Sequence, residues 1–119
     1  MPLPDVPARV GHVSAALKQV AVADVEWLTR APDRFRSSPF ARRGFCAECG
    51  TSLTYEGDGE LHMDLTIGSF DHPARFRPMR HHGVESRHPA WVDTGHLSAM
   101  RTDENANIAA KWKSLGTTP

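Results

Sequence analysis

The sequence has few cysteines, no long apolar run and no excess of charge of either sign. Its 119 residues include two cysteines, and 14 basic side chains balance 14 acidic ones. Zero net charge gives no electrostatic indication of nucleic acid or an anionic membrane as a partner. No apolar stretch approaches the roughly 20 residues that span a bilayer, and no secretory signal opens the chain. We therefore expect neither a nucleic-acid nor a membrane partner.

The two cysteines also indicate a cellular compartment. Cys46 and Cys49 are three positions apart, so a disulfide between them would do little to stabilise a secreted fold. We therefore expect a reducing, cytoplasmic location. Hydrophobic residues make up 39% and charged residues 24% of the chain, as in ordinary globular proteins. This length fits one domain.

The N-terminal part of the chain has a helical pattern. Apolar residues recur at the spacing of one helix face: Val13, Leu17, Val20, Ala21, Trp27 and Leu28. The stripe predicts an amphipathic helix, interrupted at Asp24 and ended before Pro32.

The rest of the chain has the pattern of a β protein. Short runs separated by Gly, Pro, Asp or Ser predict strands at 34–37, 41–45, 52–55 and 61–67. The Gly57-Asp58-Gly59 tip predicts a hairpin loop, and the stretch 103–115 predicts a short peripheral helix. We expect a mainly β fold with half-buried or core aromatics at Trp27, Trp91, Trp112, Phe35, Phe45 and Phe70.

The segment 45–50 has the form of a zinc knuckle. Two residues between Cys46 and Cys49 allow one turn to present both sulfurs to a tetrahedral ion. Gly50 permits the positive φ that turns backbone N–H groups toward the thiolates. Three alternatives stay open: metal-free thiols, a redox pair and a chance pairing. The redox alternative is the weaker one, because no βαβ pattern surrounds the pair.

Histidines are the other candidate zinc ligands. The chain has seven: His12, His62, His72, His81, His82, His88 and His96. None has ligand spacing with another except the adjacent pair His81 and His82, whose side chains would point to opposite faces of a strand. Each reads as a surface or turn histidine, with His81 the first to test. The predicted metal ligands are therefore Cys46 and Cys49.

Several motifs in order resemble the glutathione-dependent formaldehyde-activating enzyme family, which includes centromere protein V. Residues 35–53 read FRSSPFARRGFCAECGTSL, and residues 65–73 read LTIGSFDHP. Pro78, His81, the segment 84–87 and Trp91 match the family's next block, although His82 and Gly83 depart from it. The resemblance covers residues 23 to 100.

This resemblance implies a small zinc-binding β domain with two metal sites. A structural zinc would join an early Cys-x-Cys to Cys46 and Cys49, and a catalytic zinc would be held by Cys-His-Cys-x-x-Cys. The implied activity joins formaldehyde to the thiol of glutathione, formally a carbon–sulfur lyase reaction. Its partner would be a small-molecule thiol or an aldehyde adduct.

The catalytic cysteines of that pattern are not found in this sequence. Counting back from Arg43 places them at Met1, Leu3 and Val6, with the motif's glycine at Gly11. We therefore assign no catalytic residue. The alternative function is a non-catalytic zinc-binding or remnant domain, and two chains sharing one zinc is a further possibility. Arg42 and Arg43 suit either a substrate carboxylate or a solvated strand end, and the solvated end is favoured.

A change of reading frame would explain the missing motif. Met1 is encoded by ATG and Pro2 by CCN, so a shift of one base gives TGC, a cysteine codon. Permitted codons for residues 1–11 read CHCRTCRRVSG in the shifted frame, which is the family's motif at the right distance. The resemblance then implies a strand in place of the predicted helix. We divide the chain into a degenerate or frame-shifted segment 1–22, a β domain 23–102 and a tail 103–119.

Resequencing the gene tests this hypothesis. We expect a one-base discrepancy between the codons for His12 and Val22, with Cys-His-Cys-x-x-Cys appearing in the restored frame. A sequence confirmed as printed would exclude the enzyme function for this chain, and Cys46 and Cys49 would then mark the remains of a structural zinc site.

Overall fold

The structure is a computed structural model that describes residues 14–117. The described residues form two compact units, 14–88 and 89–117. The first unit contains a five-stranded antiparallel sheet, so the mainly β prediction is confirmed. Between residues 14 and 117, no helix has the length and apolar character needed to cross a membrane.

The sheet is built from strands in the order β1-β5-β4-β3-β2. Its strands are β1 (Leu17–Ala21), β2 (Asp33–Ser38), β3 (Ala41–Phe45), β4 (Ser52–Gly57) and β5 (His62–Thr66). Strands β2 to β5 form a meander with short connections, and β1 lies on the far side of β5. The four predicted strands are confirmed, with ends that differ by up to two residues. The predicted Gly57-Asp58-Gly59 loop joins β4 to β5.

The predicted N-terminal helix is wrong. Residues Leu17–Ala21 form β1, which pairs with β5 from Leu17 opposite Thr66 to Ala21 opposite His62. A single 3₁₀ turn, Val22–Asp24, follows. Pairing with β1 satisfies backbone groups on β5 that a helix at 17–21 would leave open at a sheet edge. The free energy of this strand pairing outweighs the weak helical preference of the sequence. The family resemblance also implied a strand at this position. Val13 lies outside the described residues.

Polar hydrogen bonds hold the centre of the sheet. Thr54 on β4 is 4% exposed, and its Oγ1 accepts from the Gly44 N–H at 2.9 Å and donates to Glu56 Oε2 at 2.8 Å. Arg34 Nε on β2 donates to the same Glu56 oxygen at 2.7 Å. Burial raises the pKa of Glu56, but the hydrogen bonds from Arg34 and Thr54 outweigh it and leave that pKa below its ordinary value. These bonds join β2, β3 and β4.

The second unit, residues 89–117, contains the C-terminal helix α1 (Ala106–Ser114). The Asn105 side chain caps it by accepting from the Ile108 N–H at 3.2 Å. The predicted helix is confirmed with shorter bounds, because residues Thr102–Glu104 form a separate 3₁₀ turn.

The expectation for the aromatic residues is only partly correct. Phe35, Phe45 and Phe70 are half-buried. The tryptophans are more exposed than expected, with 37% for Trp27 and 60% for Trp91. Trp112 lies on helix α1 and is 41% exposed. No residue of that helix is buried.

Replacing Gly44 tests the packing between β3 and β4. A Cβ at Gly44 would overlap Thr54 Oγ1 and lie 3.1 Å from Pro32 Cγ. We expect Gly44→Ala to lower the free energy of unfolding by about 2–3 kcal/mol, through overpacking and a weakened Thr54 hydrogen bond. Urea denaturation measures the change. Gly68→Ala is the matched control, because no atom lies within 4 Å of its added Cβ. Equal losses in both variants would contradict the prediction.

Candidate metal centre

The Cys46–Cys49 segment forms the tip of the β3–β4 hairpin. The Cys46 N–H donates to the Thr51 carbonyl at 2.9 Å, and the Gly50 N–H donates to the Cys46 carbonyl at 2.7 Å. Gly50 has a φ of 77°, the left-handed conformation that favours glycine. The positive φ predicted at Gly50 is therefore confirmed, whereas the zinc knuckle itself stays a prediction.

The two thiols of this turn are neighbours, and the Cys46 thiol acts on Cys49 through a hydrogen bond. Both are free, with Cys46 half-buried and Cys49 exposed. The distance from Cys49 Sγ to Thr51 Oγ1 is 3.0 Å. Hydrogen bonds from the Thr51 hydroxyl, the Thr51 backbone and the Cys46 thiol, in that order, lower the pKa of Cys49. Donors of this kind stabilise a thiolate and orient it as a metal ligand.

The donor set fits half of a structural zinc site. A structural zinc ion takes four ligands in a tetrahedron, and Cys46 and Cys49 supply two thiolates. Within residues 14–117 no group of three His, Cys, Asp or Glu side chains is arranged to hold a metal. The described histidines are all exposed, at positions His62, His72, His81, His82, His88 and His96. His12 lies outside the described residues.

The start of β1 lies at the same end of the sheet as the cysteines. Leu17, the first residue of β1, is opposite Thr66, the last residue of β5. The Thr66 hydroxyl donates to the carbonyl of Ser52, which begins β4 directly after the cysteine turn, at 2.9 Å. The chain therefore enters the sheet beside the cysteine-bearing end. The positions that match the catalytic motif, Met1, Leu3, Val6 and Gly11, lie outside the described residues.

The two adjacent arginines have different environments. Arg42 is a solvated residue, with its side chain 48% exposed and 3.8 Å from Glu56. Arg43 is 7% exposed, and its guanidinium lies 4.7 Å from the centroid of the Tyr55 ring. The favoured reading of both as a solvated strand end is therefore wrong for Arg43. It points to the opposite face of β3 from Arg42, where the aromatic ring covers it.

A partly buried carboxyl group lies next to Arg43 and Tyr55, and no sequence motif indicates it. Asp64 on β5 is opposite Tyr55 on β4. Burial raises the pKa of Asp64, and the charges of His82 and Arg43 act in the opposite direction. Polar and apolar residues alternate along β5, which assigns Asp64 to one face of the sheet, but only the register between strands brings it beside Tyr55.

An apolar recess also lies at the cysteine-bearing end of the sheet. Its volume is about 230 Å³, and its lining residues are Trp27, Leu53, Leu65, Ser69 and Phe70. The Ser69 hydroxyl already donates to the Thr66 carbonyl at 2.7 Å, so the recess offers chiefly apolar contacts. The sequence did not predict it, because its walls come from three separate segments.

Removing the Thr51 hydroxyl tests its effect on Cys49. In metal-free protein carrying Cys46→Ser, we expect Thr51→Val to raise the pKa of Cys49, because a hydrogen bond to the thiolate is lost. Thiolate absorbance near 240 nm, followed as a function of pH, measures this shift. Thr51→Ser keeps a hydroxyl and is the matched control. An unchanged titration midpoint in Thr51→Val would contradict the assignment.

No family model matches the chain, and no curated protein or solved structure is significantly similar to it.

Proposed function

We propose that this chain is a zinc-binding β domain of the formaldehyde-activating type, with Cys46 and Cys49 as half of a structural four-thiolate site. The observation that carries the proposal is the turn at the hairpin tip. It combines two neighbouring thiols, a left-handed Gly50 and hydrogen bonds from Thr51 to Cys49. The ordered motifs of residues 35–53 and 65–73 support the family, and the antiparallel sheet agrees with a mainly β domain.

The reaction proposed for the complete form is the addition of an aldehyde to the thiol of glutathione. The sulfur forms a bond to the carbonyl carbon, and the thiol proton ends on the carbonyl oxygen. The reverse reaction breaks the same carbon–sulfur bond, which is the lyase direction. A bound catalytic zinc would favour the thiolate form of the substrate.

For the 119-residue chain as printed, the proposal is a non-catalytic zinc-binding domain. The positions that match the catalytic cysteines are Met1, Leu3 and Val6, and a catalytic zinc needs about three protein ligands. None of these three side chains supplies a thiolate. The lyase activity is therefore assigned to the form with a restored reading frame.

The position of β1 limits the interval of residues in which the proposed change of frame can lie. Leu17–Ala21 pairs with β5 without a break in register. A segment translated in the wrong frame has no reason to continue the sheet, and this pairing supports a proposed change between His12 and Leu17.

Replacing residues 1–11 by CHCRTCRRVSG, behind a new start codon, tests the proposed activity. We expect zinc-loaded restored protein to accelerate exchange between formaldehyde, glutathione and their adduct by about 100-fold, the lower end of what a positioned catalytic group contributes. Magnetisation-transfer NMR measures the exchange rate.

Two controls belong to this assay. The chain as printed should leave the exchange at its uncatalysed rate, and so should the restored protein with serines in place of its three new cysteines. A restored protein that binds zinc but does not accelerate the exchange would contradict the proposed activity. The structural site at Cys46 and Cys49 would then be tested separately by metal content.

A further inference from the structure

We infer that two copies of the 119-residue chain share one zinc ion through Cys46 and Cys49 of each copy. The inference rests on the proposed zinc binding at the hairpin tip and adds the partner that completes the site. The partner is a second copy of this chain, and the product is a metal-linked homodimer.

The number of available ligands is the first argument. The chain contains two cysteines, and a structural zinc ion needs four ligands. Among residues 14–117 no third metal-binding side chain joins Cys46 and Cys49. A second copy offers an identical pair of thiolates at the same spacing, which makes a four-thiolate tetrahedron.

Access to the turn is the second argument. The residues between the two cysteines, Ala47 and Glu48, are exposed, and the Glu48 side chain is 82% exposed. A Cβ placed on Gly50 would meet no atom within 4 Å. The turn projects beyond the ends of β3 and β4, so two such tips can meet about a twofold axis. A twofold contact of this kind uses the same surface on both copies.

The local charge is compatible with such a contact. Glu48 is the only charged residue in the turn 46–51, and Arg30 lies 3.8 Å from its carboxylate. This cation offsets the repulsion between two approaching Glu48 side chains. In each copy, the hydrogen bonds from Thr51 to Cys49 also spread the negative charge of the zinc-bound thiolates.

The competing arrangement completes the site within one chain. His12 and Asp5 are metal-binding residue types in the segment that precedes β1. A site that used them would hold one zinc ion per chain in a monomer. Metal content and molecular mass therefore distinguish the two arrangements.

The test reconstitutes the metal-free 119-residue chain with Zn²⁺ and removes unbound ion by gel filtration. We expect about half a zinc atom per chain by elemental analysis. Light scattering should give twice the chain mass of 13.1 kDa. Excess chelator should return the protein to the monomer mass. Titration with Co²⁺ should saturate its thiolate charge-transfer absorption at half an equivalent.

Variants at the turn and outside it sharpen the test. Cys49→Ser should remain monomeric at every zinc concentration, with an unchanged circular dichroism spectrum because the side chain is exposed. His12→Ala is the matched control and should keep both the half-equivalent of zinc and the dimer mass.

The remaining outcomes overturn the inference in distinguishable ways. One zinc per monomer, lost in His12→Ala, would overturn the shared site and leave zinc binding at the turn intact. A dimer that persists after chelation and in Cys49→Ser would show that another surface causes assembly. Failure to bind Zn²⁺ or Co²⁺ at all would overturn both the shared site and the proposed zinc-binding function.

Discussion

The hydrogen bonds that run from Arg34 through Glu56 and Thr54 to the amide of Gly44 hold three strands of the sheet in one register. The cysteine turn depends on this arrangement, since it connects two of those strands, β3 and β4. A slip between them would move Cys46 relative to Thr51 and break the backbone bond that closes the turn. Because Thr54 is almost fully buried, its hydroxyl has no water to replace a lost partner, and the register is costly to change.

This polar centre accompanies a small apolar core. Ala41 and Met63 are the buried apolar residues of the described chain, and the buried Arg43 is covered by the Tyr55 ring. Small domains with little buried apolar surface commonly gain stability from a bound metal, because the binding free energy is available only to the folded state. A zinc ion at the hairpin tip would act in this way on β3 and β4. The structural zinc implied by the family resemblance and the proposed shared zinc both use this turn, and they differ in what supplies the two remaining ligands.

The two faces of β3 illustrate why a motif read along the sequence is incomplete. Arg42 and Arg43 are neighbours and look equivalent as letters, yet one is solvated and the other is buried beneath an aromatic ring. The strand period predicts that their side chains point to opposite faces. Which face is covered depends on Tyr55 and Asp64, which come from β4 and β5 and are placed by cross-strand register. No spacing within residues 41–45 contains that information.

Local pattern was sufficient for the four strands of the meander, the hairpin loop at Gly57-Asp58-Gly59 and the cysteine turn, because turn residues and strand periodicity act over a few positions. The same reasoning failed at Leu17–Ala21, where the apolar spacing predicted a helix. These residues instead form a strand that pairs with β5, more than forty residues away. Tertiary structure also decided the burial of Arg43, the apolar recess and the end of the sheet at which the chain enters. Each of these depends on contacts between segments distant in sequence, and the free energy of such contacts is settled only when the strands are assembled.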